Sequence, residues 1–339
     1  MLSVWDFGCI FKLTAMTDMK KIAVFTSGGD APGMNACIRA VVRAGLQKGV
    51  EVYGIMNGYE GMIKGEFKKM DSRSVGNIIH RGGTILKSAR SKAFMTPEGR
   101  AQAYAQLQQN GIDGVIAIGG DGTFKGAMKM TEEFGVPFVG LPGTIDNDLF
   151  GTDFTIGYDT AVQTAVEAID KVRDTATSHG RLFFIEVMGR DVGFIALASG
   201  IAGGAEDIFI PETQTNLEAV SEKLKKSAHK ESYIIVVSEG DDAGNVRDIS
   251  DRFKQMHPEY DVKFLVLGHL LRGGSPTAND RILASRIGIA AVNALLNGQH
   301  NIMIGWQHNR LSVIPLQNAV KHHIEVNKEL LEMLQILSY

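Results

Sequence analysis

The chain has 339 residues, 44% of them hydrophobic and 22% charged, with a formal net charge of −3. That length accommodates two α/β domains with buried cores, and the near-neutral balance excludes a global basic field able to hold nucleic acid or an anionic membrane. Cys9 and Cys37 are the only cysteines, which argues against a disulfide framework and fits a reducing, cytoplasmic setting.

Residues 1–18 read as a leader, either a disordered extension or a product of start-codon choice, because they carry Asp6 and lack the basic segment of a signal peptide. From Ile22 onward, apolar runs bounded by glycine predict strands at Ile22–Thr26, Val52–Met56, Gly114–Ile118, Phe138–Leu141, Leu182–Val187, Tyr233–Val237 and Phe264–Leu267. Helical patterns alternate with them at Met34–Gln47, Ala101–Gln108, Thr123–Glu133, Thr160–Asp174, Leu217–Ala228 and Ala278–Leu296. The alternation predicts an α/β fold of parallel-rich sheets flanked by helices, with ligands at the carboxyl ends of strands. No stretch reads as a membrane span. The longest apolar segment, Gly193 to Ala205, is too short and too rich in glycine.

Three Gly-rich segments follow predicted strands in order: Ser27-Gly28-Gly29-Asp30, Gly119-Gly120-Asp121-Gly122-Thr123, and Pro142-Gly143-Thr144-Ile145-Asp146-Asn147-Asp148. Each has a plain structural explanation, as a tight turn, a helix N-cap or an Asx-rich turn. Together they supply what phosphoryl transfer requires: bare backbone amides around phosphate oxygens, a carboxylate for Mg²⁺, and a base beside the accepting hydroxyl. Asp146 and Asp148 are two residues apart, so in an extended turn they point to the same side. The nine histidines form no metal-binding pattern, and His322-His323 are adjacent, a poor spacing for a shared helical face.

The segments TSGGDAPGMNA, GGDGT, PGTIDND, EVMGR and LGHLLRGGSP, in this order, resemble the ATP-dependent 6-phosphofructokinases of bacteria. The resemblance runs from about Met19 and thins after about Leu311. It implies two similar domains, an ATP-binding one at 19–156 plus 271–317 and a sugar-phosphate-binding one at 157–270 plus 318–339, with the active site in the cleft between them. It further implies transfer of the γ-phosphoryl of MgATP to the 1-hydroxyl of D-fructose 6-phosphate. Gly29, Arg90, Ser91, Gly120, Asp121, Gly122 and Thr123 would hold the nucleotide, with Asp121 and Asp148 near the metal. Asp146 would be the base, assisted by Thr144, Arg90 and Arg190. Thr144, Ile145, Asp146, Arg181, Met188, Gly189, Arg190, Glu239, Lys263, His269 and Arg272 would contact the sugar phosphate. Arg181 and Lys263 would act in a neighbouring subunit, so a homo-oligomer is expected, a homotetramer by resemblance.

Several departures and alternatives go with this reading. Lys263 stands where relatives place Arg, which keeps the charge but loses the bidentate fork. Gly122 and Gly143 favour ATP over pyrophosphate as donor, because pyrophosphate-dependent relatives carry Asp and Lys there. A non-catalytic nucleotide-sensing subunit would have lost Asp146 or Asp121, and both are present. An effector site for ADP or phosphoenolpyruvate is implied at Arg39, Arg43, Arg173, Gly204 and Glu206. Ser72, in place of an Arg, and the shortened loop His229-Lys230-Glu231-Ser232 leave that regulation open.

Overall fold

The computed structural model describes residues 18–226, 231–320 and 328–337. The leader to residue 17, with Cys9, as well as His229, Lys230, His322 and His323, lies outside the described residues. In chain order the elements are β1 (Lys21–Thr26), α1 (Met34–Gln47), β2 (Glu51–Ile55), α2 (Gly58–Lys64), β3 (Phe67–Met70), α3 (Pro97–Gln109), β4 (Gly114–Gly119), α4 (Asp121–Phe134), β5 (Phe138–Pro142), α5 (Tyr158–His179), β6 (Arg181–Val187), α6 (Phe194–Ala202), β7 (Asp207–Phe209), α7 (Leu217–Lys226), β8 (Tyr233–Ser238), α8 (Val246–Met256), β9 (Asp261–Val266), α9 (Ala278–Leu296), β10 (Ile302–Gln307), β11 (Arg310–Pro315), α10 (Leu316–Ala319) and α11 (Lys328–Leu337).

The chain divides into two compact units. The first takes the described residues to Thr144, then Leu149–Gly157 and 275–320; the second takes Ile145–Asp148, Tyr158–Gly274 and α11. The last exchange between units lies at residues outside the described set.

In the first unit seven strands run in the order β11-β10-β5-β4-β1-β2-β3. The inner strands are parallel, while β3 and β11 close the two margins antiparallel to β2 and β10. Strands β1 and β4 are buried almost throughout, as strands covered on both faces must be, which is why they read as unbroken apolar runs. On one face the core gathers Phe25, Tyr59, Phe94, Phe124, Met130 and Phe138. On α1 and α9, Gly288 faces Ala40 so closely that an added Cβ would stand 2.9 Å from the alanine Cβ.

The second unit is built on a four-stranded parallel sheet, β7-β8-β6-β9. Phe184, Phe209, Ile235, Ile249 and Phe253 form its core. Asn245 caps α8 by accepting a hydrogen bond from the Asp248 amide.

Helices α1 and α9 match their predicted spans. Four strands went unpredicted: β3 and β7 are too short to show a period, and the β10–β11 hairpin turns on His308-Asn309 without a glycine. Helix α6 (FIALASGIA) is apolar all round, so it lacks the periodicity that betrays a surface helix; α2, α8, α10 and α11 were also missed. Strand β9 begins at Asp261 and ends at Val266, and Leu267 leads into a 3₁₀ turn at Gly268–Arg272. No helix among the described residues is long and apolar enough to cross a membrane.

Candidate functional site

In the first unit β1, β4 and β5 are adjacent and parallel, so the loops leaving their carboxyl ends lie side by side. Backbone bonds extend the ladder into those loops, Ser27 N to Ile118 O at 3.0 Å and Gly143 N to Gly119 O at 2.9 Å. The approach is tight enough that a Cβ on Gly119 would stand 2.6 Å from the Ser27 carbonyl oxygen and 2.3 Å from the Thr123 hydroxyl. Only glycine fits there.

Gly120 is the N-cap of α4 and offers no side-chain cap; Asp121, Gly122 and Thr123 form the first turn. The Asp121 carboxylate accepts a 2.7 Å bond from Lys125, one turn on. Thr123 is 3% exposed, yet its hydroxyl has no hydrogen-bond partner among the described residues. Such an atom costs stability unless a ligand satisfies it. At Gly122 a Cβ would meet nothing within 4 Å, whereas at Gly143 it would stand 2.9 Å from Ile118 Cγ2 and 3.2 Å from the Met34 methyl. The first position is open; at the second any side chain would require Ile118 to shift.

Tyr59, which the sequence did not single out, supports this turn. Its hydroxyl donates to the Thr123 carbonyl at 2.6 Å, and its ring stacks on Phe94 with centroids 3.9 Å apart. Burial pushes the Tyr59 phenol well above its usual range, so it stays a donor.

Arg90 and Ser91 lie on an irregular segment pinned at several points. Asn35, 1% exposed, donates to the carbonyls of Arg81 and Gly82 and accepts from the Ile85 amide. Thr26 donates to the Lys87 carbonyl at 2.8 Å, and Ser88 donates to the Gly28 carbonyl at 2.5 Å, beside Gly29. The Ser91 hydroxyl is engaged locally, donating to Glu60 at 2.6 Å and accepting from the Phe94 amide. Arg90 itself is exposed. Thr144 is half-buried at the end of β5, and its carbonyl accepts from the Thr155 hydroxyl at 2.6 Å.

The second unit gathers the charged residues. The carboxyl ends of β6, β8 and β9 lead respectively to Met188-Gly189-Arg190, to Glu239 and to the 3₁₀ turn with His269 and Arg272. Ile145, Asp146 and Asp148 are buried, Asp146 to 2% exposure. Its Oδ2 lies 3.4 Å from Arg190 Nε. Arg190 has φ 55°, in the left-handed region that a long side chain rarely adopts. The turn around it depends on close backbone approach: a Cβ on Gly240 would fall 1.8 Å from the Arg190 carbonyl oxygen, and one on Gly189 2.4 Å from that of Val192. Gly240 was missed at the sequence level; its position directly after Glu239 at a strand end was the available signal.

Arg181 and Lys263 do not join this cluster within one chain. Arg181 opens β6, six residues and so about 20 Å along the strand from Val187. There Asp261 binds both cations, Arg181 Nε at 2.8 Å and Lys263 Nζ at 2.6 Å. Lys263 first and Arg181 second hold the Asp261 carboxyl below its usual range.

Of the residues implied for an effector, Arg39 and Arg43 lie on α1 in the first unit; burial and the charge of Arg43 lower the Arg39 pKa. Arg173, Gly204 and Glu206 come together in the second. Arg173 donates to the carbonyls of Gly203 and Gly204 at 2.8 and 2.7 Å and lies 3.7 Å from Glu206, which also accepts from the Ile234 amide.

The family model described as phosphofructokinase matches residues 21–295. The ATP-dependent 6-phosphofructokinase 1 of Thermus thermophilus is 56% identical over 322 residues, covering 94% of this chain and 100% of that protein. The ATP-dependent 6-phosphofructokinase 2 of Bacteroides thetaiotaomicron is 52% identical over 325 residues, 95% of this chain and 100% of that protein. Among solved structures, phosphofructokinase of Pichia pastoris in the T-state superposes with a TM-score of 0.84 at 36% identity, over 90% of this chain and 36% of that longer one. With glycine-lined strand ends in one unit, a buried Asp146 carboxylate beside Arg190 in the other, and these matches along nearly its whole length, the chain belongs to the phosphofructokinase family.

Proposed function

We infer that the protein is an ATP-dependent 6-phosphofructokinase, which transfers the γ-phosphoryl group of ATP to the 1-hydroxyl of D-fructose 6-phosphate. The observation that carries the reading is the buried Asp146 carboxylate beside Arg190, in a chain whose relatives bear that name.

The strand ends of the first unit take the nucleotide. Gly29, Gly120 and Gly122 let phosphates approach backbone, Thr123 supplies its unmatched hydroxyl, and Arg90 and Ser91 line the pinned segment beside them. The second unit takes the sugar phosphate through Met188, Gly189, Glu239, His269 and Arg272, with Thr144 and Ile145 leading to the base. Asp146 accepts the proton of the attacking hydroxyl, while Arg190 and Arg90 neutralise charge on the transferring group. A carboxylate is a weak base, so positioning and charge stabilisation supply most of the rate.

The donor set fits Mg²⁺ held mainly by phosphate oxygens and water. No group of three His, Cys, Asp or Glu side chains able to hold a metal occurs among the described residues, and Asp121 presents one partly exposed carboxylate. Asp121 would be its protein ligand, with Asp148 in support, and the bound ion would neutralise charge on the β- and γ-phosphates.

Gly122 and Gly143 favour ATP over pyrophosphate as donor: at 122 a Cβ would meet nothing within 4 Å, so glycine leaves that place open to the nucleotide, and at 143 a side chain would crowd Ile118. The place of Arg181 at the start of β6, where Asp261 holds it together with Lys263, supports their serving the 6-phosphate of a neighbouring copy, hence a homo-oligomer, a homotetramer by family. ADP and phosphoenolpyruvate are the effectors to test at Arg39, Arg43, Arg173, Gly204 and Glu206. The enzyme would act in the cytoplasm.

The test is fructose 6-phosphate phosphorylation with MgATP and, in parallel, with magnesium pyrophosphate. Turnover with ATP alone, abolished in Asp146→Ala, is expected. Turnover with pyrophosphate would overturn the donor assignment, and none with either would favour a nucleotide-sensing subunit.

A further inference from the structure

Eight non-glycine residues among those described have a positive φ: Asn57, Asn77, Lys87, Asn147, Arg190, Asn301, His308 and Asn309. Asn and His tolerate the left-handed region because their short polar side chains bond locally. That leaves Arg190, already placed beside the base, and Lys87, with φ 58°. Glycine would occupy the Lys87 position without strain.

Lys87 gains nothing evident in return from the fold. Its side chain is exposed and makes no hydrogen bond or ion pair among the described residues. Its backbone, by contrast, is firmly held: Thr26, at the end of β1, donates to its carbonyl, and its amide donates to the Thr84 carbonyl at 3.2 Å. The next residue, Ser88, is bonded to the Gly28 carbonyl. Lys87 is therefore fixed beside the first Gly-rich loop, three residues before Arg90. A strained backbone bearing an unpaired cation at a candidate phosphate site is the pattern expected where a side chain is kept for a ligand.

We propose that Lys87 is a specificity residue for the phosphoryl donor, its ammonium contacting the polyphosphate chain of the nucleotide. This rests on the reading of the first unit's strand ends as the nucleotide site. The side chain suits the role, because four flexible methylenes carry a compact point charge that follows a mobile phosphate chain.

Steady-state kinetics on the full chain test it with three variants. Lys87→Gly removes charge and strain together, Lys87→Asn removes the charge while tolerating the same backbone, and Lys87→Arg keeps the charge. The KM for MgATP is expected to rise about five- to tenfold in the Gly and Asn variants and to stay within about twofold in the Arg variant. The KM for fructose 6-phosphate should move far less in all three. The thermal midpoint of Lys87→Gly should be no lower than that of the parent. Added KCl should raise the KM for MgATP more steeply in the parent than in Lys87→Gly.

An unchanged KM for MgATP in both neutral variants, with an active parent, overturns this proposal alone. A parent inactive with MgATP overturns the nucleotide-site reading beneath it. A clear fall in midpoint for Lys87→Gly would show that the lysine stem stabilises the fold, which also counts against the proposal.

Discussion

The two units solve the same problem, a polar site at strand ends, with opposite materials. The first uses absence: Gly28, Gly120 and Gly122 leave room, Gly119 and Gly143 let the loops pack closely, and one buried hydroxyl has no hydrogen-bond partner among the described residues. The second uses charge, with Asp146, Asp148, Arg190, Glu239, His269 and Arg272 placed by buried strands and by glycines that yield to the Arg190 backbone. A phosphate chain carries many equivalent oxygens and is well met by backbone dipoles, whereas a single attacking hydroxyl needs one side chain in one place.

That contrast can be broken most sharply at Asp146. Asp146→Ala should lower kcat about 10³- to 10⁴-fold, as for loss of a positioned base; steady-state assays that find a tenfold loss or less would refute its role. Next comes Gly240→Ala, whose Cβ would fall 1.8 Å from the Arg190 carbonyl oxygen. Displacing that turn should cost roughly 100-fold in kcat and about 1–3 kcal/mol of stability, read by kinetics and by urea unfolding. Retained activity would mean that the strained turn does not matter.

On the other side of the comparison, Thr123→Val removes a hydroxyl the fold leaves unmatched. Unfolding free energy should stay level or rise, while the KM for MgATP climbs about fivefold. A loss of stability would show that the hydroxyl serves the protein rather than a ligand. The smallest effect is expected at Asp261. Because Lys263 and Arg181 depress its folded pKa, its stabilising contribution is complete above the ordinary carboxylate value and is lost as pH falls through the lower folded value. The difference in thermal midpoint between the parent and Asp261→Asn should therefore be small at neutral pH and vanish on acidification. A difference that grows in acid would reverse the assignment.

Much of this arrangement was legible in the sequence, because glycine beside a carboxylate at the end of an apolar run is a strong local signal. The strands leading to Gly28, Gly119 and Gly143 could be read directly, as could the helices behind them. What escaped works through the backbone or across long separations. Tyr59 acts on a carbonyl 64 residues away, and Asn35 holds a segment about 50 residues on; neither leaves a trace in local pattern. Helix α6 hid because a helix buried on all sides has no polar face. The left-handed backbone of Lys87 and Arg190 could not be read at all, since neither residue type announces it.

The order of strands in the first sheet also bears on how the protein is made. Strand β5 is flanked on one side by β4, which precedes it closely, and on the other by β10, which follows about 160 residues later. At about 5–20 residues per second on a ribosome, that flank stays uncovered for roughly ten to thirty seconds. Meanwhile the stretch from Tyr158 to Gly274, almost the whole second unit, emerges as one contiguous piece able to form its four-stranded sheet. The later-numbered unit is thus positioned to mature first, leaving Phe138-Val139-Gly140-Leu141 as the nascent chain's exposed seam until Ile302 and Met303 arrive to close it.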